Sequence, residues 1–330
     1  MKVCESDLFA ILADGQCHSG QELADSIGVS RTAVWKHLAS IRDKGVDVIA
    51  VRGSGYRLAA PVELLDAKRI SGILANAAVI RPENIEIYYQ LDSTSRLLRD
   101  RVADSSVHAH IVLAEYQTDG KGRGANQWLS ATASGLCLSI GWHFDNVPKN
   151  LTALSLATGV VLAECLAGLG PQTVRLKWPN DLVFEEAKLG GILIDSRGQL
   201  AGAVDVIIGI GINISMPAGV AAGISQKVTD LTRIFGYCPS RNQLAASIIM
   251  QMFHLLDNYA QSGFETYIDR WRKLDTTRGR DAVLYQLAAN VTGQVVDIDE
   301  NGFLIMSVDG CLSRYSSGDL SLRVKNESVY

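Results

Sequence analysis

Between residues 83 and 272 the chain carries six apolar runs of strand length: IEIYY, HIVLAEY, GLCLSIGW, VRLKW, LGGILID and AVDVIIGIGINIS. Only two long helical patterns, at 151–169 and 241–261, lie among them. So many strands with so few helices constrain this region to an α+β layer, a mixed sheet covered by helices. The most apolar stretch, LTALSLATGVVLAECLAGLG at 151–170, is interrupted by Thr152, Ser155, Thr158 and Glu164. It therefore reads as a buried helix and not as a membrane span.

The first 60 residues follow a different rule. Leu8, Ile11 and Leu12 predict a first helix ending near Asp14 and Gly15. Ser19 stands three residues before Glu22, which is capping-box spacing, and Gly28 closes that second helix. Ser30 opens a third, SRTAVWKHLASIRDKG, with Val34, Leu38 and Ile41 on one face and Arg31, Thr32, Trp35 and Lys36 on the other. A strand, an Arg52-Gly53-Ser54-Gly55 turn and a second strand come next. This is a helix-turn-helix followed by a β-hairpin wing. A groove-facing set for DNA would be Ser30, Arg31, Thr32, Trp35 and Lys36, with Arg52 and Ser54 on the wing. Pro61 ends the unit, and 62–82 reads as a linker leading into a helix. From about 278 the pattern changes to short strands with Gly-containing turns, DENG at 299–302 being the clearest, which predicts a small β-barrel.

The formal charge of −4 (31 Lys+Arg against 35 Asp+Glu) excludes a globally basic nucleic-acid binder, so any DNA contact must be a local patch. Six scattered cysteines with no C-x-x-C pair predict reduced thiols in a cytoplasmic protein. His108 and His110 could share one strand face, but nothing else shows metal spacing. The N-terminus, MKVCESDLFAIL, lacks the pattern of a signal peptide.

Four segments of the middle region collect polar groups. Asp92, Ser93, Thr94 and Ser95 open a helix after a strand, where free N–H groups suit a carbonyl, ureido or anionic group, although an ordinary N-cap explains them too. The loop GKGRGANQW follows Gln117, whose amide both donates and accepts. Its Gly120, Gly122 and Gly124 alternate with Lys121 and Arg123, a flexible backbone carrying charge toward an anion. In KWPNDLVFEEAKLGGILID, Asp181 could meet Mg²⁺ beside phosphates, and Lys188 precedes Gly190 and Gly191. Finally, Gly209 and Gly211 interrupt a strand ending at Asn213. No Walker A loop, Rossmann fingerprint or G-x-S-x-G elbow is present. Cations and Gly-rich backbone without an obvious nucleophile suit phosphate activation, in which a ligand's own carboxylate attacks ATP.

These motifs make the chain resemble the bifunctional bacterial biotin–protein ligases (biotin–[acetyl-CoA-carboxylase] ligases) that also repress the biotin operon. The resemblance spans essentially all 330 residues, and GKGRGANQW, KWPND with KLGGILI, DST at 92–94, GIGIN at 209–213 and SRTAVWKHL carry it. It implies a multidomain α+β chain: a winged helix-turn-helix over 1–62, a class-II-synthetase-like mixed sheet with helices over 63–274, and an SH3-like β-barrel over 275–330. It implies biotin and ATP as substrates with Mg²⁺, the biotin carboxyl carrier protein of acetyl-CoA carboxylase and biotin operator DNA as partners, and an adenylate-bound homodimer. Ser93, Thr94, Ser95 and Gln117 would hold the biotin head group, with Gly120, Gly122, Gly191, Gly209 and Gly211 around it. Lys121 and Arg123 would cover carboxylate and phosphates, and Lys188 would bind biotin's carboxylate and the adenylate oxygen, making Arg123 and Lys188 the catalytic pair. Trp128, Lys177, Asn180, Asp181 and Asn213 would serve the nucleotide, with Mg²⁺ at Asp181.

Four positions depart from the family pattern. Lys121 stands where arginine is usual, Gly124 and Ala125 replace an Arg-Gly pair, and Ser95 replaces an asparagine. Lysine keeps the charge and loses the planar fork of guanidinium. Other readings stay open on the sequence: a lipoate ligase or octanoyl transferase, a biotin sensor with an impaired ligase core, and a ligase with a vestigial DNA domain. Segment 192–199 is the expected strand edge for pairing between two copies.

Overall fold

The computed structural model describes residues 5–75, 84–102, 106–124, 126–198, 202–285, 290–316 and 320–324. The N-terminal unit contains α1 (Glu5–Leu12), α2 (Gly20–Ile27), α3 (Arg31–Asp43) and a hairpin of β1 (Val48–Val51) and β2 (Gly55–Leu58). The capping box is present: Ser19 Oγ accepts the Glu22 N–H at 3.0 Å, and Glu22 Oε2 accepts the Ser19 N–H at 3.3 Å. Gly28 ends α2 in the left-handed region at φ 67°. Val34, Leu38 and Ile41 pack against α1 residues Leu8, Phe9 and Leu12 in a core separate from the central one, which Ala133 of the central unit joins.

Residues 62–66 are not a free tether. Glu63 accepts hydrogen bonds from Ser240 Oγ and the Arg241 N–H, and the Leu65 N–H donates to Glu115 Oε1 at 2.6 Å. Asp66 then caps α4 (Ala67–Leu74). Residues 76–82 of the expected linker lie outside the described residues.

The central unit runs β3 (Ile85–Leu91), α5 (Thr94–Arg101), β4 (Ile111–Gln117), β5 (Gly135–Phe144), α6 (Leu154–Ala167), β6 (Arg175–Lys177), β7 (Asp181–Phe184), β8 (Ala187–Gly198) and β9 (Val204–Asn213). Four helices follow: α7 (Ala218–Ala222), α8 (Leu231–Phe235), α9 (Arg241–Ser262) and α10 (Ile268–Leu274). The seven strands form one mixed sheet in the order β3-β4-β5-β9-β8-β7-β6, parallel only between β3 and β4. All six expected apolar runs are strands of this sheet. Its seventh strand, β7, comes from DLVF, so WPN is the turn of a tight β6–β7 hairpin with Lys177 opposite Asp181. The expected helix at 151–169 begins as a 3₁₀ turn over Leu151–Ala153 before α6.

Period-2 alternation sorts the sheet's faces. Leu136, Leu138 and Ile140 of β5 join the core beneath α6 and α9, whereas Val112 and Ile207 pack with Leu98 of α5 on the opposite face. One ion pair is fully enclosed: Arg241 Nη1 lies 2.6 Å from Glu115 Oε2, both side chains at most 5% exposed. The same guanidinium donates to the Gly135 and Glu63 carbonyls, tying α9, β4, β5 and the 62–66 segment together.

The C-terminal unit is a five-stranded antiparallel sheet of β10 (Asp281–Tyr285), β11 (Val291–Ile298), β12 (Leu304–Val308), β13 (Cys311–Tyr315) and β14 (Ser321–Val324), ordered β13-β12-β11-β10-β14. Gly302 takes φ 75° in the DENG turn. Trp178 Nε1 donates to the Gly302 carbonyl at 3.1 Å, so the KWPND hairpin and this sheet are docked together.

The winged unit also meets the central one. Lys44, which ends α3, puts Nζ 2.6 Å from Glu5 Oε1 and over the rings of Tyr89 and Tyr116 at 5.5 and 5.7 Å. The Thr132 N–H donates to the Lys44 carbonyl at 3.2 Å. No described helix is long and apolar enough to cross a membrane.

Candidate active site and nucleic-acid interface

On the α5 face of the sheet, pairing aligns Cys137 with Gly211 and Gly211 with Gly191, and in the next row Ser139 with Gly209. Three glycines therefore leave a floor without Cβ atoms, open to a flat ligand. The Trp128 indole lies on it: a Cβ at Gly211 would come 2.6 Å from Trp128 Cε2, and one at Gly191 3.7 Å from Cζ3. The floor opens into a cleft of about 1060 Å³. Every residue expected to hold biotin except Gly120 lines it, as does every residue expected to hold the nucleotide. Gly120 instead packs behind Trp128, where a Cβ would meet the Trp128 carbonyl at 2.5 Å.

At one end of the floor the hydrogen-bond directions are fixed. The Thr94 N–H donates to Gln117 Oε1 at 2.8 Å, so the amide oxygen faces α5 and the Nε2 donor is turned away from it. Thr94 Oγ1 also donates to Gln117 Oε1, at 3.2 Å. Its proton is thus committed, so Ser139 Oγ donates to Thr94 Oγ1 at 2.8 Å, and Ser95 Oγ to Ser139 Oγ at 2.9 Å. The chain leaves Ser95 Oγ as an acceptor and Gln117 Nε2 as a donor, a pair matched to a group with both N–H and C=O. The Thr94 N–H is not a free donor, contrary to the expectation for this helix start. Ser93 is the N-cap of α5, its Oγ accepting the Arg96 N–H at 3.4 Å. Ser139, fully buried, is absent from the sequence-derived set. Its one signal is a hydroxyl amid the apolar run GLCLSIGW.

Cations mark the other end. Lys188 Nζ lies 2.6 Å from Asp181 Oδ1, each side chain 22% exposed. Arg123 Nη1 donates to the Leu320 carbonyl at 2.7 Å, carrying the loop onto the C-terminal sheet. Lys121 is engaged differently: Nζ lies 2.9 Å from Asp119, which also receives Arg96. These contacts, Lys121 first and then Arg96, hold the Asp119 carboxyl at about 2. Arg96 and Asp119 too are missing from the sequence-derived set. Asn180 is a fastener, its Nδ2 donating to the Ile192 carbonyl and its own carbonyl accepting the Ile192 N–H. Asn213 Nδ2 donates to the Thr229 carbonyl. Burial pushes the Cys137 thiol up, keeping it protonated beside the floor. Ala125 lies outside the described residues.

On the winged unit, Ser30 caps α3 by accepting the Ala33 N–H at 3.2 Å. Arg31, Thr32, Trp35 and Lys36 are exposed, and Arg52 and Ser54 are exposed at the wing tip. Every residue of the expected DNA-facing set is exposed.

Fold and site together define a two-part chain, a helix-turn-helix joined to a cofactor ligase. Residues 5–57 match an HTH domain, and residues 87–213 match the biotin/lipoate A/B protein ligase family. The chain is 37% identical to the bifunctional ligase/repressor BirA of Escherichia coli K12 over 316 residues, 96% of each chain, and 26% identical to that of Bacillus subtilis over 92% of this chain and 93% of the relative. A biotin protein ligase from Aquifex aeolicus, solved with biotin and ATP, shares the fold at a TM-score of 0.62 and 24% identity, covering 74% of this chain and all of that one. The chain belongs to the family of bifunctional biotin ligase/repressors.

Proposed function

We propose that the protein joins biotin to ATP, giving biotinyl-5′-adenylate and pyrophosphate, and passes the acyl group to a lysine of the biotin carboxyl carrier protein of acetyl-CoA carboxylase. The adenylate-bound form represses biotin-synthesis genes as a homodimer on operator DNA. The observation that carries the ligase reading is the cleft: a Cβ-free floor, a donor–acceptor pair at one end and Lys188 with Arg123 at the other. The ureido ring of biotin offers the complement to Gln117 Nε2 and Ser95 Oγ. Its carboxylate extends to Lys188, exchanging one carboxylate partner, Asp181, for another. In the first step a carboxylate oxygen bonds to the α-phosphorus and the bond to pyrophosphate breaks. In the second, the acceptor amine bonds to the acyl carbon, gives up a proton, and AMP leaves. Lys188 and Arg123 stabilise charge on the carboxylate and phosphates, and Trp128 excludes water from the mixed anhydride. Lys177, Asn180 and Asn213 border the nucleotide.

Asp181, a carboxylate lining the cleft, would meet a Mg²⁺ carried in by the phosphates; among the described residues no three His, Cys, Asp or Glu side chains group to hold a metal. When bound, Mg²⁺ neutralises phosphate charge. The reading divides the chain into a DNA-binding unit (1–62), a catalytic unit (63–274) and an SH3-like barrel (275–330). Free cysteines among the described residues and the need for ATP favour the cytoplasm. The dimer edge is β8: β7 pairs with it only as far as Gly191, leaving Leu193–Gly198 with β9 alone among the described residues.

The test is purified protein with MgATP, biotin and a biotin carrier domain, read by intact mass, with lipoate and octanoate in parallel. A biotin-sized gain with biotin and no gain with the other two acids is expected; a lipoyl-sized gain with lipoate as large in yield would overturn the assignment. Lys188→Ala and Arg123→Ala should each slow pyrophosphate release about 10²-fold, and near-normal rates in both would remove them from the chemistry.

A further inference from the structure

Four of the five tryptophans are buried or half-buried in the central unit. Trp35 is the exception, 60% exposed in the second turn of α3. Val34, Leu38 and Ile41 fill the core side of that helix, so the indole contributes nothing to the unit's packing core. Its surroundings select the partner. Arg31 lies one turn earlier on the same face, Thr32 and Lys36 flank it, Arg52 tops the wing, and the first turn of α3 carries no acidic residue. An exposed apolar group on a helix and wing whose exposed residues include Arg31, Lys36 and Arg52 suits a phosphate-lined groove and not a second apolar protein face. The N-terminal residues of such a helix reach base edges. In the major groove the one apolar group a base edge presents is the 5-methyl of thymine.

We propose that Trp35 is a specificity-determining residue which reads a thymine, through its 5-methyl group, at one fixed position of each DNA half-site. This rests on the DNA-binding reading of the N-terminal unit and adds to it which base chemistry is read and by which side chain. Arg31, Lys36 and Arg52 supply phosphate contacts, and the indole supplies selectivity.

The experiment uses the full chain with biotinyl-5′-adenylate. A duplex library with a random core is enriched for bound sequence, and the enriched site is then titrated with each thymine replaced singly by uracil, which removes only the methyl. One uracil position per half-site should weaken wild-type binding about fourfold, the equivalent of about 0.8 kcal/mol for one buried methyl group. Trp35→Ala should bind more weakly and lose nothing further at that position, whereas Trp35→Phe should keep part of the discrimination. Restoring the methyl as 5-methylcytosine opposite guanine should outbind unmodified cytosine there in wild type alone. If a site is enriched but no uracil matters, or uracil matters equally in Trp35→Ala, the proposal is overturned while DNA binding stands. If nothing is enriched over random duplex, both readings fall.

Discussion

Replacing Gly209 by alanine tests whether the glycine floor is a steric requirement of this site. The new Cβ would stand 2.4 Å from Ser95 Oγ, closer than any real contact of that kind. Ser95 cannot simply turn away, because its hydroxyl donates to Ser139 at 2.9 Å in a chain whose directions are set. Overpacking of this kind costs about 1–3 kcal/mol, and losing the Ser95–Ser139 bond accounts for about 1 kcal/mol of it. Gly209 takes no positive φ, so the reduced freedom of the unfolded alanine chain offsets about 0.4–1 kcal/mol. A net loss of about 1–2 kcal/mol in urea unfolding is expected, with a rise in the biotin KM because the displaced hydroxyl enters the head-group end. The sharper reading is the double variant. With Ser95→Ala the 2.4 Å atom is gone, and the next neighbours of the new Cβ are the Leu193 carbonyl oxygen at 3.5 Å and Leu193 Cβ at 3.7 Å, ordinary contacts. Ser95→Ala/Gly209→Ala should therefore be no less stable than Ser95→Ala, a favourable coupling of about 1–2 kcal/mol. A Gly209→Ala protein with unchanged stability and KM, or a double variant showing the sum of the single losses, would refute the steric argument.

The enclosed pair should behave as buried charges do. Arg241→Met leaves Glu115 without its cation and should cost about 3–5 kcal/mol in urea unfolding; adding Glu115→Gln should recover part of that, and equal losses in single and double variants would contradict it. His18 gives a pH dependence. Its partial burial works against protonation, but hydrogen bonds to Asp14 and Glu22 prevail and raise its pKa above the ordinary 6.5. The extra stability is complete below the unfolded pKa and is lost as pH rises through the raised one. The winged unit should melt higher at pH 6 than at pH 8, by a margin that shrinks in His18→Gln; equal margins in the two proteins would count against the pairing.

Local signals carried most of the architecture. Caps, turn glycines and period-2 runs are properties of adjacent residues, so Ser19 with Glu22, Gly28, Ser30, the wing and all six expected apolar strands could be read one segment at a time. The glycine floor was half legible: GIGIN and LGG announce missing Cβ atoms, but only the β5–β9–β8 register brings Gly209, Gly211 and Gly191 to one face. Pairings across long separations left no such mark. Glu115 with Arg241 looks like any two surface charges in sequence, and Ser139 like a polar interruption of a strand. Lys121 shows the limit of charge counting, because a cation beside an expected phosphate site is also two residues from Asp119, and that carboxylate engages it.

The same long separations explain how the loop and the DNA-facing helix share one piece of backbone. The front of the loop is held by Asp119, gripped by Arg96 of α5 and by Lys121. Its far end runs into Ala131–Ala133, where the Thr132 N–H reaches the carbonyl of Lys44 and Ala133 joins the winged core. Tyr116, which lies under the Lys44 ammonium, directly precedes Gln117, the amide at the head-group end of the floor. A ligand shifts a conformational equilibrium only by its differential interaction with the two states. Here the groups that can supply that difference, Gln117 on one side and the 120–130 loop on the other, are each continuous with a residue in contact with the end of α3. The end of α3 is therefore packed against the stretch of backbone that runs from β4 through the 120–130 loop toward β5.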